Sequence, residues 1–414
     1  MIKTTGEIEM NVREIIDNLK GYGLTEEMPA DSVPKRKENK YGAKIYDTHP
    51  NYSPQYYEHT NRYNEYTNDQ DPSDFIWIPD GNAELTSVLP STVVSEIENE
   101  IKKEGIEVLA WYRSFHWNPT DKWGIYILDS GIYYIAQTVF NGVPQISRYG
   151  RPYNTLDLLC QSFRLLFLHE FFHYITDISA TLIELGDKSP QKRYVPYFKN
   201  IYQNIYLHPT THDEPIEEAL ANAYAYNRFQ GRDIRNRIRN FMRGQPSGYS
   251  AFEEYIGKNF RYGTRRLGSC IGQETAFPRD VAPLEALFDC NKQYLSFGDV
   301  PIYIVHTIDN PKYQIRFVKS IPQSAIIESP RFKKDFEKLP ANVQKQYQDT
   351  LKKLEMNARH RGLKFEHIKG CDAVFALRVG REYRLSLRQR QIDGKWEFLR
   401  IGKHDDILHN PGGC

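Results

Sequence analysis

The run Leu165-Leu-Phe-Leu-His-Glu-Phe-Phe-His-Tyr174 constrains the whole chain, because it is apolar on every side and yet carries His169, Glu170 and His173. A helix places residues i and i+4 on one face about one turn apart, so both imidazoles reach a single ion while Glu170 leans over the same point. Leu165, Leu166, Phe167, Leu168, Phe171, Phe172 and Ile175 cover the remaining faces, which predicts a helix buried in a core. Desolvating two imidazoles and a carboxylate without partners costs roughly 1 to 3 kcal/mol each. A bound cation is the simplest expectation.

A second segment supplies the missing ligand. Thr211-His-Asp-Glu-Pro-Ile-Glu-Glu-Ala-Leu-Ala-Asn-Ala-Tyr-Ala225 reads as a helix starting near Glu214, with Asp213 as its cap and Pro215 in its first turn. A catalytic zinc takes three protein ligands and keeps one position for water, and His, His, Glu is a recurring set. Glu217 and Glu218 compete for the third place. Ala221 and Ala225 lie three and seven positions after Glu218 and let its face approach another helix, which favours Glu218. Glu184 and Asp177 share the face of His173. Asp177 is expected behind the ligands, and Glu184 at the surface near the helix end.

These residues carry a resemblance. HExxH followed by Glu218-x-x-Ala-Asn-x-Tyr-Ala225 resembles the gluzincin-type ImmA/IrrE metallopeptidases, whose second motif has the form E-x-x-A-N-x-F-A. It spans roughly residues 106–229 and implies zinc bound by His169, His173 and Glu218, with Glu170 as general base. The connection 188–212, rich in Tyr, Lys and Pro, departs from the family pattern.

The rest of the chain falls into place around this centre. Residues 1–74 read as an extended arm after a short helix at Met10–Leu19, and residues 75–308 as the zincin-like domain. Within it, strands are expected at Phe75–Ile78 and Ile106–Trp111 around a helix at Pro90–Glu104 capped by Ser91. A hairpin of Trp123–Leu128 and Gly131–Ile135 should turn at Asp129-Ser-Gly131. Residues 227–260 read as helical and basic, with a solvated face favoured over a nucleic-acid one. Residues 309–328 read as a linker interrupted by proline. Five cysteines without CxxC spacing suggest reduced thiols and a cytoplasmic protein. No leader and no run of about 20 apolar residues is expected.

The net charge is only +1, but residues 326–414 hold 19 Lys and Arg against 12 Asp and Glu, a balance of +7 that leaves −6 elsewhere. Such asymmetry suits a polyanionic partner for the last module. Residues 329–414 read as helices at Pro330–Leu339 and Ala341–Asn357, then strands at Leu363–Ile368, Ala373–Val379, Tyr383–Arg390 and Trp396–Ile401. The segments Gly362-Leu-Lys-Phe-Glu-His-Ile-Lys-Gly370, Phe375-Ala-Leu-Arg-Val379, Tyr383-Arg-Leu385 and Ile401-Gly-Lys-His-Asp405 together resemble the RelE/ParE toxin superfamily.

By resemblance to its YoeB-type messenger-RNA interferases, Glu366 would take the ribose 2′-hydroxyl proton, Arg384 would steady charge on phosphate, and His404 would protonate the leaving oxygen. Lys364, Arg378, Arg381, Arg388 and Lys403 would contact phosphates. Asp405 stands where those enzymes carry an aromatic, and members that poison gyrase share the fold without the nuclease residues. The expected protein is α+β: a zincin-like metallopeptidase domain with a small sheet, joined to a RelE-like ααββββ domain. The resemblances imply a repressor- or antitoxin-like protein substrate, messenger RNA on the ribosome, a possible antitoxin and no membrane. The alternative is a structural or regulatory zinc domain joined to a ParE-like binder of gyrase or ribosome.

Overall fold

The structure, a computed structural model, describes residues 2–3, 9–10, 12–26, 76–79, 89–117, 123–142, 155–186, 190–199, 216–272, 300, 302–305, 313–316, 321–356, 358, 362–368, 370–371, 374–390, 393 and 395–414. In chain order its elements are β1 (Ile2–Lys3), β2 (Glu9–Met10), α1 (Val12–Gly21), β3 (Ile76–Pro79), α2 (Ser91–Glu104), β4 (Ala110–Arg113), β5 (Gly124–Leu128), α3 (Asp129–Tyr134), α4 (Thr155–Gly186), α5 (Tyr194–Tyr197), α6 (Ile216–Asn227), α7 (Arg232–Arg243) and α8 (Asn259–Gly272). They continue as β6 (Ile302–Val305), β7 (Tyr313–Arg316), β8 (Ile326–Glu328), α9 (Pro330–Glu337), α10 (Ala341–Met356), β9 (Glu366–His367), β10 (Val374–Val379), β11 (Tyr383–Gln389), β12 (Trp396–Lys403) and α11 (His404–His409). The chain is α+β with small sheets, and divides into two units. One comprises 1–64, 89–139 and 165–309; the other comprises 65–88, 140–164 and 310–414.

The first unit is built on residues 165–186 of α4. From Leu165 to Ala180 every side chain is buried, as an all-round apolar helix requires. The hydroxyls it takes inside bond back to its own backbone: Thr176 donates to the Phe172 carbonyl at 3.2 Å, Ser179 to Ile175 at 2.6 Å and Thr181 to Asp177 at 3.0 Å. Phe172 lies 5.7 Å from the Tyr224 ring on α6 and 6.0 Å from Phe260 on α8, tying three helices together. Gly263 makes that contact possible. A Cβ there would stand 2.5 Å from Tyr255 and 2.6 Å from Leu220.

Beside the helices lies a three-stranded sheet of order β4-β5-β6, antiparallel between β4 and β5 and parallel between β5 and β6. Several expectations change here. The second hairpin strand at Gly131–Ile135 is α3 running into one π-helical turn at Ile135–Val139. The apolar run is buried on all sides, so its periodicity could not separate strand from helix. Gly131 also sits where a Cβ would meet Leu109 at 2.9 Å, which brings the helix against the start of β4. Ile106–Val108 is a 3₁₀ turn before β4, and the cap of α2 is Pro90, not Ser91. The arm at 27–74 lies outside the described residues, as do 213–215, where the start of α6 was expected.

In the second unit β3 pairs with β7, and a five-stranded sheet has the order β8-β12-β11-β10-β9. Both β7 and β8 fall in the expected linker. β8 runs parallel to β12, with Ile326 opposite Trp396, so the module is β followed by the expected ααββββ, with α11 after it. Ser329 caps α9 by accepting the Phe332 amide at 3.1 Å, with Pro330 in the first turn. One sheet face packs Phe375, Leu377, Leu385, Leu387 and Phe398 against Phe332, Tyr347 and Leu354 of the two helices. The opposite face carries a smaller cluster that includes Ile368, Val374, Ala376, Leu399 and Leu408. Cys371 and Cys414 form a disulfide across this second face, with Cα atoms 4.6 Å apart, which corrects the reading of all five cysteines as reduced thiols. Spacing along the chain could not reveal a pair separated by 43 residues. No described helix is long and apolar enough to cross a membrane.

Candidate metal centre

Helices α4 and α6 bring His169, His173 and Glu218 together, with one ligand atom from each lying within 4.8 Å of the others. His169 and Glu218 are fully buried and His173 is 6 % exposed. His169 Nε2 is 3.1 Å from Glu218 Oε2, and His173 Nε2 is 3.5 Å from Glu218 Oε1. Glu170, one residue after His169, is also fully buried.

Each imidazole is held from behind. His169 Nδ1 is 3.0 Å from Asn222 Oδ1, while the Asn222 amide nitrogen donates to Gln245 Oε1 at 3.1 Å and to the Tyr249 carbonyl at 3.0 Å. Because the amide nitrogen is committed there, the Asn222 oxygen faces the ring and His169 Nδ1 is the donor. His173 Nδ1 donates to Glu217 Oε1 at 2.7 Å, and the other Glu217 oxygen accepts a short hydrogen bond from the Tyr197 hydroxyl of α5. Both Nε2 atoms are therefore turned towards Glu218. This decides between the two glutamates: Glu218 faces both rings, and Glu217 orients one of them. The Tyr249 ring stacks beside His169 at 6.2 Å. It is admitted by Gly105, whose φ is +78° and where a Cβ would lie 2.6 Å from that ring.

The electrostatics fit a cation. Burial holds the His169 pKa below its ordinary value despite Glu218, so the ring is neutral with Nδ1 protonated. Its Nε2 lone pair then points at a carboxylate oxygen, a repulsive arrangement that a positive ion relieves. Burial pulls His173 down as well, but the charge of Glu218 and the bonds to Glu217 and Glu218 carry it well above its usual value. Burial would raise Glu218, yet the two imidazoles hold it below the ordinary carboxylate range. Two nitrogens and one carboxylate oxygen, oriented by outer hydrogen bonds, make up the donor set of a three-ligand metal site.

A second buried cluster continues along the same face of α4. His116 Nδ1 makes a short contact with Asp177, and its Nε2 lies 2.7 Å from Glu184 Oε2. The other Asp177 oxygen accepts from the Tyr112 hydroxyl at 2.8 Å. Glu184 Oε1 accepts the backbone amides of Arg193 at 2.6 Å and Tyr194 at 3.1 Å. Glu184 is thus fully buried, contrary to the expected surface position, and Asp177 serves His116. Burial opposes the charge on His116, but the two carboxylates raise its pKa to about 9. Tyr194 stacks on His116 at 4.8 Å, so α5 contributes one tyrosine to each cluster.

In the second unit, strand register places Glu366 opposite Ala376, Ala376 opposite Ser386, and Arg378 opposite Arg384. These residues alternate with Phe375, Leu377, Leu385 and Leu387, so Glu366, Arg378, Arg384 and Ser386 share the face away from the helices. Arg384 also pairs with Gly402, two residues before His404. Arg384 is 4 % exposed and Nη1 donates to the Tyr383 carbonyl at 3.0 Å. Glu366 is half-buried, and His404 Nδ1 lies 2.9 Å from Asp405 Oδ1. Lys364, Arg381 and Lys403 are exposed and Arg378 is half-buried. Arg388 is exposed but held by Glu397 across the ladder at 2.9 Å.

No family model, curated protein or solved structure matches this chain. Sequence reasoning missed Asn222, Tyr197, His116 and Tyr112 as parts of the buried clusters. Asn222 was in view, four residues after Glu218 on the same helical face. The others lie on elements with no spacing relation to the ligands.

Proposed function

We propose that the first unit is a zinc-dependent peptidase and that the module 326–414 is an RNA-cleaving endonuclease. The observation that carries the first part is the convergence of His169, His173 and Glu218 within 4.8 Å, beside a buried Glu170. Zinc is the ion such a nitrogen- and oxygen-donor set favours. When bound it would supply Lewis-acid polarisation of a carbonyl and an acidified water. Glu170 then takes the proton of the attacking water and passes it to the leaving amine. Glu217 and Asn222 hold the two imidazoles in the tautomers that leave Nε2 for the ion.

The RNA reading rests on the shared sheet face. There Glu366 would act as base, Arg384 would stabilise charge on the phosphate and His404 would serve as acid, with Lys364, Arg378, Arg381, Arg388 and Lys403 around the backbone. A repressor- or antitoxin-like protein and ribosome-associated messenger RNA are the partners on this reading, and both place the chain in the cytoplasm. Glu170→Gln separates the peptidase part from a purely structural ion. The variant should keep its zinc and lose about 10²- to 10⁴-fold in cleavage of candidate repressor proteins. Cleavage retained in that variant would sink the reading.

A further inference from the structure

The sheet face assigned to RNA carries the chain's own residues 405–414 against it. Ile407 of α11 packs over Gly402, the residue opposite Arg384, where a built Cβ would be 3.4 Å from Ile407 Cδ1. Leu408 completes the apolar cluster with Val374, Ala376 and Leu399. Past the helix, the Asn410 carbonyl accepts from Arg400 Nη1 at 2.8 Å, and the Pro411 carbonyl accepts from the Ser386 hydroxyl at 2.6 Å. Gly413 lies against Leu399 and Val374. The Cys371–Cys414 disulfide fastens the far end. Ser386, bonded to this strap, is fully buried, and Arg384, opposite the Gly402 that Ile407 packs over, is 4 % exposed, although a phosphate clamp has to meet a polyanion in water.

We propose that segment 405–414 is an autoinhibitory strap, latched by the Cys371–Cys414 disulfide, that shuts the Arg384 face until a dithiol reductant opens it, while the His404 amide stays on the Glu382 carbonyl at 2.7 Å; this rests on the RNA reading of that face. The described contacts that hold the strap include two backbone carbonyls and a few apolar side chains. The disulfide closes a loop across 43 residues and so removes most of the freedom the segment would otherwise regain on release. Cys414 is the exposed half of the bond and Cys371 the buried half. A thiolate of the reductant attacks the Cys414 sulfur, forming a mixed disulfide and releasing the Cys371 thiolate, which takes up a proton. The second thiol of the reductant then displaces Cys414. The protein gains two electrons and two protons as two thiols, and the reductant leaves as its disulfide. The strap then opens by local unfolding, and Arg384 meets solvent.

The test uses the full chain and the arginine-selective dicarbonyl phenylglyoxal, with modification of each arginine followed by peptide mass spectrometry. Reduced wild type and Cys414→Ser should label Arg384 on the order of tenfold faster than the oxidised protein, as expected for loss of a locally closed state. Exposed Arg381 should label equally in all three and serves as the internal control. Equal labelling of Arg384 in oxidised and reduced protein would overturn the strap. Fluorescence anisotropy with a single-stranded RNA separates the two ideas. Tighter binding only after opening supports both. Arg384 exposed without any gain in RNA affinity rejects the RNA reading and leaves the strap standing as a disulfide-latched cover of that face.

Discussion

Replacing Glu217 by Gln tests whether the hydrogen bonds behind the ligands organise the centre. Glu217 does not face the ion position; it accepts from His173 Nδ1 at 2.7 Å and from the Tyr197 hydroxyl. Gln keeps the shape and one acceptor oxygen but removes the charge that makes the imidazole a stronger donor to a cation. Outer-shell partners of metal-bound histidines are typically worth 10- to 100-fold in affinity, or about 1.4 to 2.7 kcal/mol. Glu217→Gln should therefore weaken zinc binding by that factor. Glu218→Ala, which removes a ligand and leaves the two Nε2 atoms without their carboxylate, should lose far more. Competition against a chromophoric chelator at fixed pH measures both. An affinity within about twofold of wild type for Glu217→Gln, in a variant with an unchanged circular dichroism spectrum, would refute the reasoning. If Glu217→Gln lost the ion and Glu218→Ala kept it, the roles of the two glutamates would be reversed.

The His116 cluster makes stability depend on pH. Its pKa is raised from 6.5 to about 9, so its stabilisation is complete below about pH 6.5 and is lost as pH rises through about 9, a change on the order of 3 kcal/mol. Urea midpoints for wild type should fall across that window, and a profile that stays flat there contradicts the ion cluster. His116→Phe should cost roughly 3 to 5 kcal/mol by leaving Asp177 and Glu184 buried without their cation. Gly263→Ala should destabilise by about 1 to 3 kcal/mol through overpacking against Tyr255 and Leu220, and a thermal midpoint equal to wild type would show that the helices can part freely. In reduced protein, His404→Ala should slow RNA cleavage by about 10²- to 10⁴-fold. Intact transcripts in reduced wild type would instead favour a module that binds without cutting.

The helix that carries the candidate metal site was legible because it breaks a strong local rule: two histidines and a glutamate stand in a run that is otherwise apolar. Glu218 was separable from Glu217 through the small residues Ala221 and Ala225, which lie three and seven positions after it and are fully buried. The order of helices and strands after Ser329 was legible as well, since turns and alternation are local signals. The charge cluster around His116 was not, because His116 and Asp177 lie 61 residues apart and neither position is unusual in its own segment. Gly131–Ile135 was misread because complete burial erases the difference between a period of two and one of 3.6. β8 was hidden by its three-residue length and by its parallel partner, which lies 70 positions later at the register of Ile326 and Trp396. The disulfide and the covered sheet face are likewise consequences of tertiary pairing, which residue spacing does not encode.

The most direct measurement is the metal content of the purified full chain by inductively coupled plasma mass spectrometry, alongside His169→Ala, His173→Ala and Glu218→Ala. The account requires one zinc per wild-type chain and a loss of that zinc in each variant, because each removes one of three donors that converge on a single point. Zinc retained at full stoichiometry in folded His169→Ala and Glu218→Ala would contradict it, since the ion would then be held somewhere other than between α4 and α6.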